Sequence, residues 1–535
     1  MKNISHTIDF RDALNSYFIF FRPFETVSQI TFQKVFDISN YPTGGNKMIQ
    51  TIDGGYIIYG TTWYGAGSND LFISKIDSIG NLEYTRIIGG IKIEIAGDII
   101  QSADGNYFIC GTTKSFSPWS YNEAFLSKIN SMGDMLWTKT YGDASYANCM
   151  LKTADGGFLL GGSISMGGID SDCYAVKVDS LGQLQWAKSY GIPNMLDVFN
   201  NIQETFDGKY ALFGDKGFYA SPNRDVTITK INESGDLIWS KSFGGPYIDY
   251  GIIGLQTSDS GFIVIGATYG FDTTQQQSTP DYYVIKTDSI GNHIWSKSYG
   301  GIYYDFAYGI LENSNNEYII AGNSTNPFVG SDIYVIKIND NGDTLWTRNL
   351  ASNGDDRCYS LNNASDGGYI LTGFTRSFGF NIGANYIIKT DSNFNFGCNE
   401  NYVSKQIMVT PTIEANTGFV TGIFNPVLAT PAFQIDSAGG ITTICQSLGT
   451  NEFSFVGTSL IIKPNPATDV ISLNWNRSIN SGNIKIINCI GSIVFFEPII
   501  KESSKNVSLY GLTPGVYFAS IFDGQNYFFC KFFVF

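Results

Sequence analysis

The residues best suited to chemistry in this sequence are aspartates that recur ahead of strand-like segments. They are Asp70, Asp172, Asp225, Asp281 and Asp332. Hydrolysis of a glycosidic bond needs two carboxylates a defined distance apart, and five equivalent acids give no reason to select a pair. Their spacing also differs from that of a calcium-binding EF-hand loop. We therefore interpret these acids as caps of the turns that precede a strand, and we predict no catalytic residue.

Other catalytic chemistries lack the residue types that they need. The chain has only two histidines, His6 and His293, which argues against histidine-rich metal sites and against most Ser-His or Cys-His nucleophiles. No glycine-rich phosphate loop and no cofactor fingerprint is present in the sequence. We expect no metal site and no cofactor.

The eight cysteines are scattered, and no two of them form a C-x-x-C pair. Cys110, Cys149 and Cys173 lie in or beside strand-like segments, so we predict that they are buried small hydrophobic residues. Cys398 and Cys445 flank the one region without repeat character, which makes them the candidate disulfide.

The elements that position these residues belong to a repeat of about 52 residues, marked by three patterns that each occur seven times. The Asp-Gly-Gly mark, partly degraded in some copies, begins at Asp53, Asp104, Asp155, Asp207, Asp259, Asn315 and Asp366. The lysine mark (apolar-Lys-apolar-Asp in most copies) places its lysine at Lys75, Lys128, Lys177, Lys230, Lys286, Lys337 and Lys389. The aromatic mark (aromatic-x-Lys/Arg) places its ring at Phe32, Tyr84, Trp137, Trp186, Trp239, Trp295 and Trp346.

Each repeat contains four strand-like runs separated by Asp/Gly turns. Four antiparallel strands every 52 residues or so are typical of a β-propeller blade. The sequence thus predicts an all-β chain with a seven-bladed propeller over residues 30–392. The aromatic run Ile30–Phe36 has no preceding partner and the lysine run Tyr386–Thr390 has no following one. We predict that these two runs pair and close the ring, because pairing removes two open strand edges.

The topology of a four-stranded meander separates two faces of the predicted ring. Short turns alternate with long connections that differ in every blade and carry aromatic residues. We propose as ligand-binding candidates Trp63, Tyr64, Trp119, Phe218, Tyr219 and Phe271. Exposed rings on a polar loop face stack on sugars or anchor a protein partner. The alternative is that many of them pack between blades as core.

Three further regions lie outside the repeats. Residues 1–29 have the position of a secretory signal but only a short apolar run, and we interpret them as a degenerate or mis-assigned signal region. Residues 393–450 are rich in Thr, Asn, Ala and Pro, which favours a linker or a small irregular module. Residues 451–535 alternate strand-like runs with turns, which predicts a small C-terminal β-sandwich.

Short motifs in the last region resemble the type A C-terminal sorting domain of the type IX secretion system of Bacteroidetes. They are the run from Pro464-Asn465-Pro466 to Asp469, the segment from Leu512 through Gly515 to Tyr517, and the closing run from Lys531 to Phe535. The repeats are likewise similar to those of secreted Bacteroidetes propellers. The resemblance implies export by that machinery, to the medium or to the outer-membrane surface of a Gram-negative bacterium. It implies no activity for the propeller.

Net charge and hydropathy restrict the classes of partner that the chain can bind. The formal net charge is -15 and no Lys/Arg-rich run occurs, so a nucleic acid is an unsuitable partner. No apolar stretch is long enough to span a membrane. We interpret the chain as a secreted or cell-surface, non-catalytic binding or structural protein. Its ligand is then an extracellular polysaccharide or protein. The alternative is a polysaccharide-active enzyme of the propeller type that uses loop carboxylates.

Overall fold

The structure is a computed structural model, and every regular element that it describes is a β-strand. The chain divides into two compact units, residues 1–450 and residues 451–535. The described residues are 29–38, 41–65, 69–117, 119–167, 170–218, 223–270, 279–301, 304–326, 330–350, 354–395, 400–401, 406–409, 413–416, 420–423, 428–429, 434–436, 440–447, 460–463, 469–479, 482–488, 493–513, 515–522 and 527–534.

The first unit is a seven-bladed β-propeller in which four strands form each blade. Strand β1 (Thr31–Asp37) comes first in the chain, and blades 1 to 7 then follow in sequence order. Blades 1 to 3 contain β2 (Thr43–Gln50), β3 (Tyr56–Thr62), β4 (Asp70–Ile76), β5 (Leu82–Gly89), β6 (Glu94–Gln101), β7 (Tyr107–Thr113), β8 (Glu123–Ile129), β9 (Met135–Asp143), β10 (Ser145–Lys152), β11 (Phe158–Gly167), β12 (Asp170–Val178) and β13 (Leu184–Gly191). Blades 4 to 7 contain β14 (Met195–Glu204), β15 (Tyr210–Phe218), β16 (Arg224–Ile231), β17 (Leu237–Gly244), β18 (Asp249–Gln256), β19 (Phe262–Thr268), β20 (Asp281–Thr287), β21 (His293–Gly300), β22 (Tyr304–Glu312), β23 (Tyr318–Asn326), β24 (Gly330–Ile338), β25 (Thr344–Leu350), β26 (Asp356–Asn363), β27 (Tyr369–Thr375) and β28 (Ala384–Thr390).

The ring closes through the N-terminal strand, as the unpaired runs predict. Strand β1 pairs antiparallel with β28, with Phe32 opposite Lys389 and Phe36 opposite Asn385. The N-terminal strand therefore becomes the fourth strand of blade 7. A chain segment from each end of the propeller is needed to complete that blade.

The Asp-Gly-Gly mark and the lysine mark meet within each blade. The lysine of the third strand reaches the acid in the hairpin between the first and second strands, at nitrogen–oxygen distances of 2.6–3.3 Å. In blade 6 Lys337 instead contacts Glu317, which replaces the acid that Asn315 lacks. Because most of these lysines are buried, each one needs its carboxylate partner. The two marks are therefore scaffold.

The aromatic mark joins each blade to the next one. A Cβ atom placed on Gly182, Gly235 or Gly291 would lie 2.7–2.9 Å from the tryptophan ring of the preceding blade. Those glycines also have φ between +72° and +81°, a backbone conformation that favours glycine. Hydrogen bonds reinforce the junction, for example from Trp186 Nε1 to the carbonyl oxygen of Glu233 at 3.1 Å. The third mark is thus also scaffold.

Apolar side chains of neighbouring blades form the core between them. The cluster between blades 2 and 3 includes Phe108, Leu126, Leu160 and Val176. Three cysteines, Cys110, Cys149 and Cys173, are buried free thiols, as predicted. The Cys398–Cys445 pairing lies outside the described side chains.

Seven further short strands form a belt around the propeller. They are β29 (Glu400–Asn401), β30 (Gln406–Val409), β31 (Ile413–Asn416), β32 (Val420–Ile423), β33 (Leu428–Ala429), β34 (Gln434–Asp436) and β35 (Gly440–Ser447). Each adds an antiparallel fifth strand to the outermost strand of one blade. The belt passes from blade 6 down to blade 1 and ends on blade 7.

The belt corrects the expectation of a linker or an irregular module over residues 393–450. The outermost strand of a blade presents unpaired backbone N–H and C=O groups along its open edge. The belt satisfies them with two to eight residues per blade. Six of the seven belt strands have only two to four residues, which is too short to show a hydrophobic period, and for that reason the sequence pattern did not reveal them.

The second unit is a β-sandwich, in agreement with the predicted fold class. It contains β36 (Leu460–Lys463), β37 (Val470–Ile479), β38 (Gly482–Asn488), β39 (Ile493–Ile499), β40 (Glu502–Ser508), β41 (Gly515–Phe522) and β42 (Tyr527–Val534). Three of these strands form one sheet in the order β36-β37-β40, and four form the other in the order β39-β38-β41-β42. Buried residues of both sheets, including Leu473, Trp475, Ile484 and Ile521, share one core.

Candidate binding face

The two faces of the propeller differ in the length of their connections. The hairpin face carries the short turns of the Asp-Gly-Gly and lysine marks, closed by bonds such as Gly54 N–H to the Thr51 oxygen at 2.9 Å. The loop face carries the links between blades and the connections between the second and third strands. Residues that break the repeat are concentrated on the loop face, which makes it the candidate functional surface.

The structure describes three of the six predicted aromatic side chains. Trp63 is 62% exposed in the β3–β4 connection, and Trp119 is 77% exposed in the β7–β8 connection. Tyr64 is instead partly buried against the core formed by blades 7 and 1, with its ring 5.3 Å from that of Tyr41. Tyr64 therefore fits the alternative of packing residues.

The other three predicted residues are described only in part or not at all. Phe218 ends strand β15, and its side chain lies outside the described part of the structure. Tyr219 and Phe271 also lie outside the described residues.

Four more large apolar residues in or next to the loop-face connections of blades 1 and 2 are exposed. We call the following six residues the blade 1–2 patch: Tyr41, Trp63, Ile91, Ile95, Trp119 and Tyr121. Their exposed fractions lie between 43% and 77%. Sequence reasoning missed Ile91 and Ile95 because the alternation Ile91-x-Ile93-x-Ile95 also fits a half-buried strand.

The link between blades 1 and 2 holds the patch in place. On one side, the backbone N–H of Glu94 donates to the carbonyl oxygen of Asn69, in the connection that carries Trp63. On the other side, the Lys92 ammonium donates to the Ser117 carbonyl oxygen at 3.3 Å and to Ser120 Oγ at 2.8 Å. Both tryptophan-bearing loops are therefore anchored to the same short link.

The recurrent aspartates lie at the junctions between blades, and their exposure differs: Asp172, Asp225 and Asp332 are half-buried, whereas two are buried. Asp70 and Asp281 are only 2% and 6% exposed. At the junction of blades 4 and 5, a Cβ on Gly244 would lie 2.3 Å from Asp225 Oδ1 and 2.8 Å from Asp249 Oδ2. Gly244 thus lies between Asp225, near the start of the third strand of blade 4, and Asp249, at the start of blade 5.

Burial at the junctions favours the uncharged form of several acids. Burial raises the pKa of Asp249 to about 8, although Thr268 and the Gly245 N–H group act against this shift. Burial likewise raises the pKa of Asp197 to about 8 and that of Glu94 to about 7. All three are fully buried, so a substrate cannot reach them. They stabilise junctions and are unsuitable as a catalytic pair.

A cavity of about 340 Å³ lies where the first strands of all seven blades meet. None of the eleven residues that line it is an aspartate or a glutamate. Among the described residues, no three His, Cys, Asp or Glu side chains are arranged to hold a metal ion. The described part of the chain contains no helix long and apolar enough to cross a membrane.

In the C-terminal sandwich, two of the motif residues have a described environment. Tyr517 is buried in the core and donates its hydroxyl proton to the Thr513 carbonyl oxygen at 2.7 Å. Gly515 begins strand β41 and is exposed. Lys531 lies opposite Phe518 in the pairing of β41 with β42, and its side chain is not described. Pro464, Asn465 and Pro466 lie outside the described residues.

Comparison with known proteins identifies the C-terminal domain. Residues 462–534 match the family described as Secretion system C-terminal sorting domain. No curated protein sequence is significantly similar to the chain.

Solved structures with some similarity share little sequence with the chain. A protein of unknown function from Bacteroides caccae is 10% identical, with a TM-score of 0.34, over 55% of this chain and 94% of that one. A xylan β-1,4-xylosidase from Bacillus halodurans is 10% identical, with a TM-score of 0.27, over 75% and 99%. An endo-1,5-α-L-arabinanase from Thermotoga petrophila is 11% identical, with a TM-score of 0.22, over 64% and 82%. Similarity at this level supports no statement about activity.

The chain is a secreted β-propeller protein whose C-terminal domain is a sorting domain of the type IX secretion system, which delivers it to the cell surface or the extracellular space.

Proposed function

We propose that the exported propeller is a non-catalytic binding protein whose loop face docks an extracellular polysaccharide or protein through the blade 1–2 patch. The observation that carries this proposal is the exposure of Trp63 and Trp119 on two loops anchored to one link. Large rings held in a fixed position on a surface are the usual anchors of binding energy.

The composition of the patch supports a role in contact. Free loops tolerate polar insertions at little cost, whereas exposed tryptophan and isoleucine side chains leave apolar area in water. Large apolar side chains exposed together on the loops of one face are typical of an interaction site. The net charge of -15 keeps such a protein soluble despite the exposed rings.

A polysaccharide-active enzyme is the alternative function. It requires two carboxylates that a substrate can reach at once. In the described residues, Asp70 and Asp281 are buried, Asp172, Asp225 and Asp332 are half-buried, and the central cavity has no acid in its lining. These observations favour binding over hydrolysis.

The test is an array of plant, animal and bacterial polysaccharides probed with the full-length protein. A bound polysaccharide is then titrated with the variants Trp63→Ala and Trp119→Ala. We expect each variant to lose ~1–3 kcal/mol of binding free energy and to keep the melting temperature of the wild type. A matched control is Phe206→Ala, since Phe206 is 67% exposed on the hairpin face; it should bind like the wild type.

Two results would overturn the proposal. Equal binding by the double Trp63/Trp119 variant would remove the patch from the contact. A loss of several kcal/mol of folding stability in either single variant would make the rings core residues. Release of reducing ends from the bound polysaccharide would favour the enzyme instead.

A further inference from the structure

The first strand of every blade carries a β-bulge at the same place. Where the first strand of a blade pairs with the second, one residue of the first strand has no partner, and in blade 2 two residues have none. In blade order the bulged residues are Asn46, Gly97 with Asp98, Asn148, Asn200, Ile252, Tyr308 and Tyr359. A bulge redirects a side chain and is a designed feature, often found next to functional sites.

These bulges build the central cavity. One bulged residue from each of the seven blades lines the cavity. Each of the other lining residues is next to a bulged residue in the chain. A volume of about 340 Å³ lies at the lower end of the range for small-molecule pockets. The cavity is thus suited to a small ligand and too small for a folded partner.

Residue types at this position vary, although the rest of the scaffold repeats. Blades 1, 3 and 4 present the carboxamides of Asn46, Asn148 and Asn200, whereas blades 6 and 7 present the phenols of Tyr308 and Tyr359. A position that only supports the ring would repeat like the lysine and aromatic marks. Its variation indicates that the seven residues serve an asymmetric occupant.

The polar groups of the cavity are held in place. Asn148 Nδ2 donates to the Phe199 carbonyl oxygen at 3.2 Å, and Asn200 Nδ2 donates to the Gly251 carbonyl oxygen at 2.8 Å. The Tyr308 and Tyr359 rings are 5.5 Å apart and perpendicular. Groups fixed before binding lose little entropy when a ligand arrives.

We propose that the central cavity binds a small, neutral, polyhydroxylated ligand, such as a monosaccharide or the end of a glycan chain. Amide groups on one arc of the wall exchange hydrogen bonds with hydroxyl groups, and aromatic rings on the opposite arc cover the apolar face of a sugar ring. Lys47 is the one charged residue of the lining, so the cavity offers no cluster of charges to bind an ion. This site is separate from the blade 1–2 patch and does not depend on the proposed function.

The test is titration of the full-length protein, by calorimetry and by ligand-observed NMR, with a panel of neutral monosaccharides and disaccharides. We expect at least one sugar to bind. The variants Asn46→Leu and Tyr359→Phe, which remove one amide and one hydroxyl group, should each weaken it roughly 3- to 10-fold. Phe206→Ala, at an exposed position of the hairpin face, is the control and should leave sugar binding unchanged.

Folding is checked by the melting temperature of each variant, and Tyr359→Phe keeps the ring contact with Tyr308 if Asn46→Leu fails to fold. The proposal is wrong if no sugar of the panel binds at millimolar concentration. It is also wrong if both cavity variants bind the sugar as the wild type does.

Discussion

At each junction between blades, an aromatic ring lies over the hairpin of the next blade. Gly291 illustrates the constraint, because it has a φ of +81° and its absent Cβ would lie 2.9 Å from the Trp239 ring. Gly156 has nearly the same φ, +82°, but no atom within 4 Å of the Cβ position. A comparison of Gly291 with Gly156 therefore separates the free-energy cost of the left-handed backbone from the cost of contact between the added methyl group and the Trp239 ring.

We predict that Gly156→Ala lowers the free energy of unfolding by about 1 kcal/mol, the cost of a left-handed alanine. Gly291→Ala should cost about 1–3 kcal/mol more, because the methyl group also displaces the Trp239 ring. Urea denaturation of both variants measures the difference. Equal losses would show that the junction yields without cost and that the glycine serves the turn alone.

At the scale of elements, the junction acids and the hairpin acids respond to pH in opposite directions. The folded state raises the pKa of Asp249 to about 8 from 3.8. The unfolded chain therefore releases a proton between about pH 4 and 8 that the folded protein keeps, and stability falls as pH rises through this window. At the hairpins, partial burial opposes ionisation of Asp259, but Thr257, Gly261 and Lys286 hold its pKa below 3.8. Its contribution is lost only as pH falls below that value.

We predict that Asp249→Asn raises the stability at pH 8, on the order of 1–3 kcal/mol, and gives no gain at pH 4. The amide keeps an acceptor for the Gly245 N–H group, which now donates to Asp249 at 2.8 Å, and it never ionises. Melting temperatures from pH 4 to pH 8 provide the measurement.

The control for this prediction is Asp259→Asn, which removes the carboxylate 3.0 Å from the buried Lys286 ammonium. It should destabilise the protein at pH 7, because the buried Lys286 ammonium loses its nearer carboxylate and keeps only that of Asp340, 3.5 Å away. A gain for Asp249→Asn that does not change with pH would contradict the role that we assign to its ionisation.

At the scale of the whole molecule, two kinds of strand cover backbone edges that the blades would otherwise leave open. Strand β1 closes the ring between blades 7 and 1, and the belt covers the outer edge of every blade. The covered edges are backbone groups that would otherwise pair with other chains. The belt contributes backbone pairing along the outer edge of each blade.

We predict that a chain ending at residue 395 forms soluble oligomers or aggregates and melts at a lower temperature than a chain ending at residue 450. Both truncations remove the sorting domain, so they differ only in the belt. Light scattering after size-exclusion chromatography and thermal denaturation are the measurements. Two monomers with the same melting temperature would mean that the belt does not protect the blades.

The last strand of the chain offers a test of export. Strand β42 pairs only with β41, at the edge of its sheet. Removing residues 526–535, in a host with a type IX secretion system, should leave the protein in the periplasm. The variant Trp63→Ala, which leaves the sorting domain intact, is the control and should reach the surface. Normal delivery of the truncated chain would show that export does not depend on this strand.

Much of the fold could be predicted because its signals are local and repeated. Asp53 and Lys75 are 22 positions apart, and the two marks recur 22 to 27 positions apart in the later blades, so seven blades follow from counting. Ring closure followed from two unmatched runs. The belt could not be predicted in this way, since each of its strands is recognised only by the blade edge that it meets.

The candidate site was less accessible to sequence reasoning. The types of Trp63 and Trp119 suggested a binding surface, but the same reasoning selected Tyr64, which the structure places against the core. Exposure is a property of the whole surface, and neighbouring sequence does not encode it.

The sequence by itself determined the number of blades, their four-stranded form, the closure by β1 and the sorting domain, because each rests on residue types at short, recurring intervals. Only the tertiary structure decided that Asp70 and Asp281 are buried at blade junctions, and that seven bulges meet around one cavity. It alone also decided that the seven belt strands pair with the outer edges of the seven blades. These features depend on which blades become neighbours, and chain segments hundreds of residues apart meet only after the ring has closed.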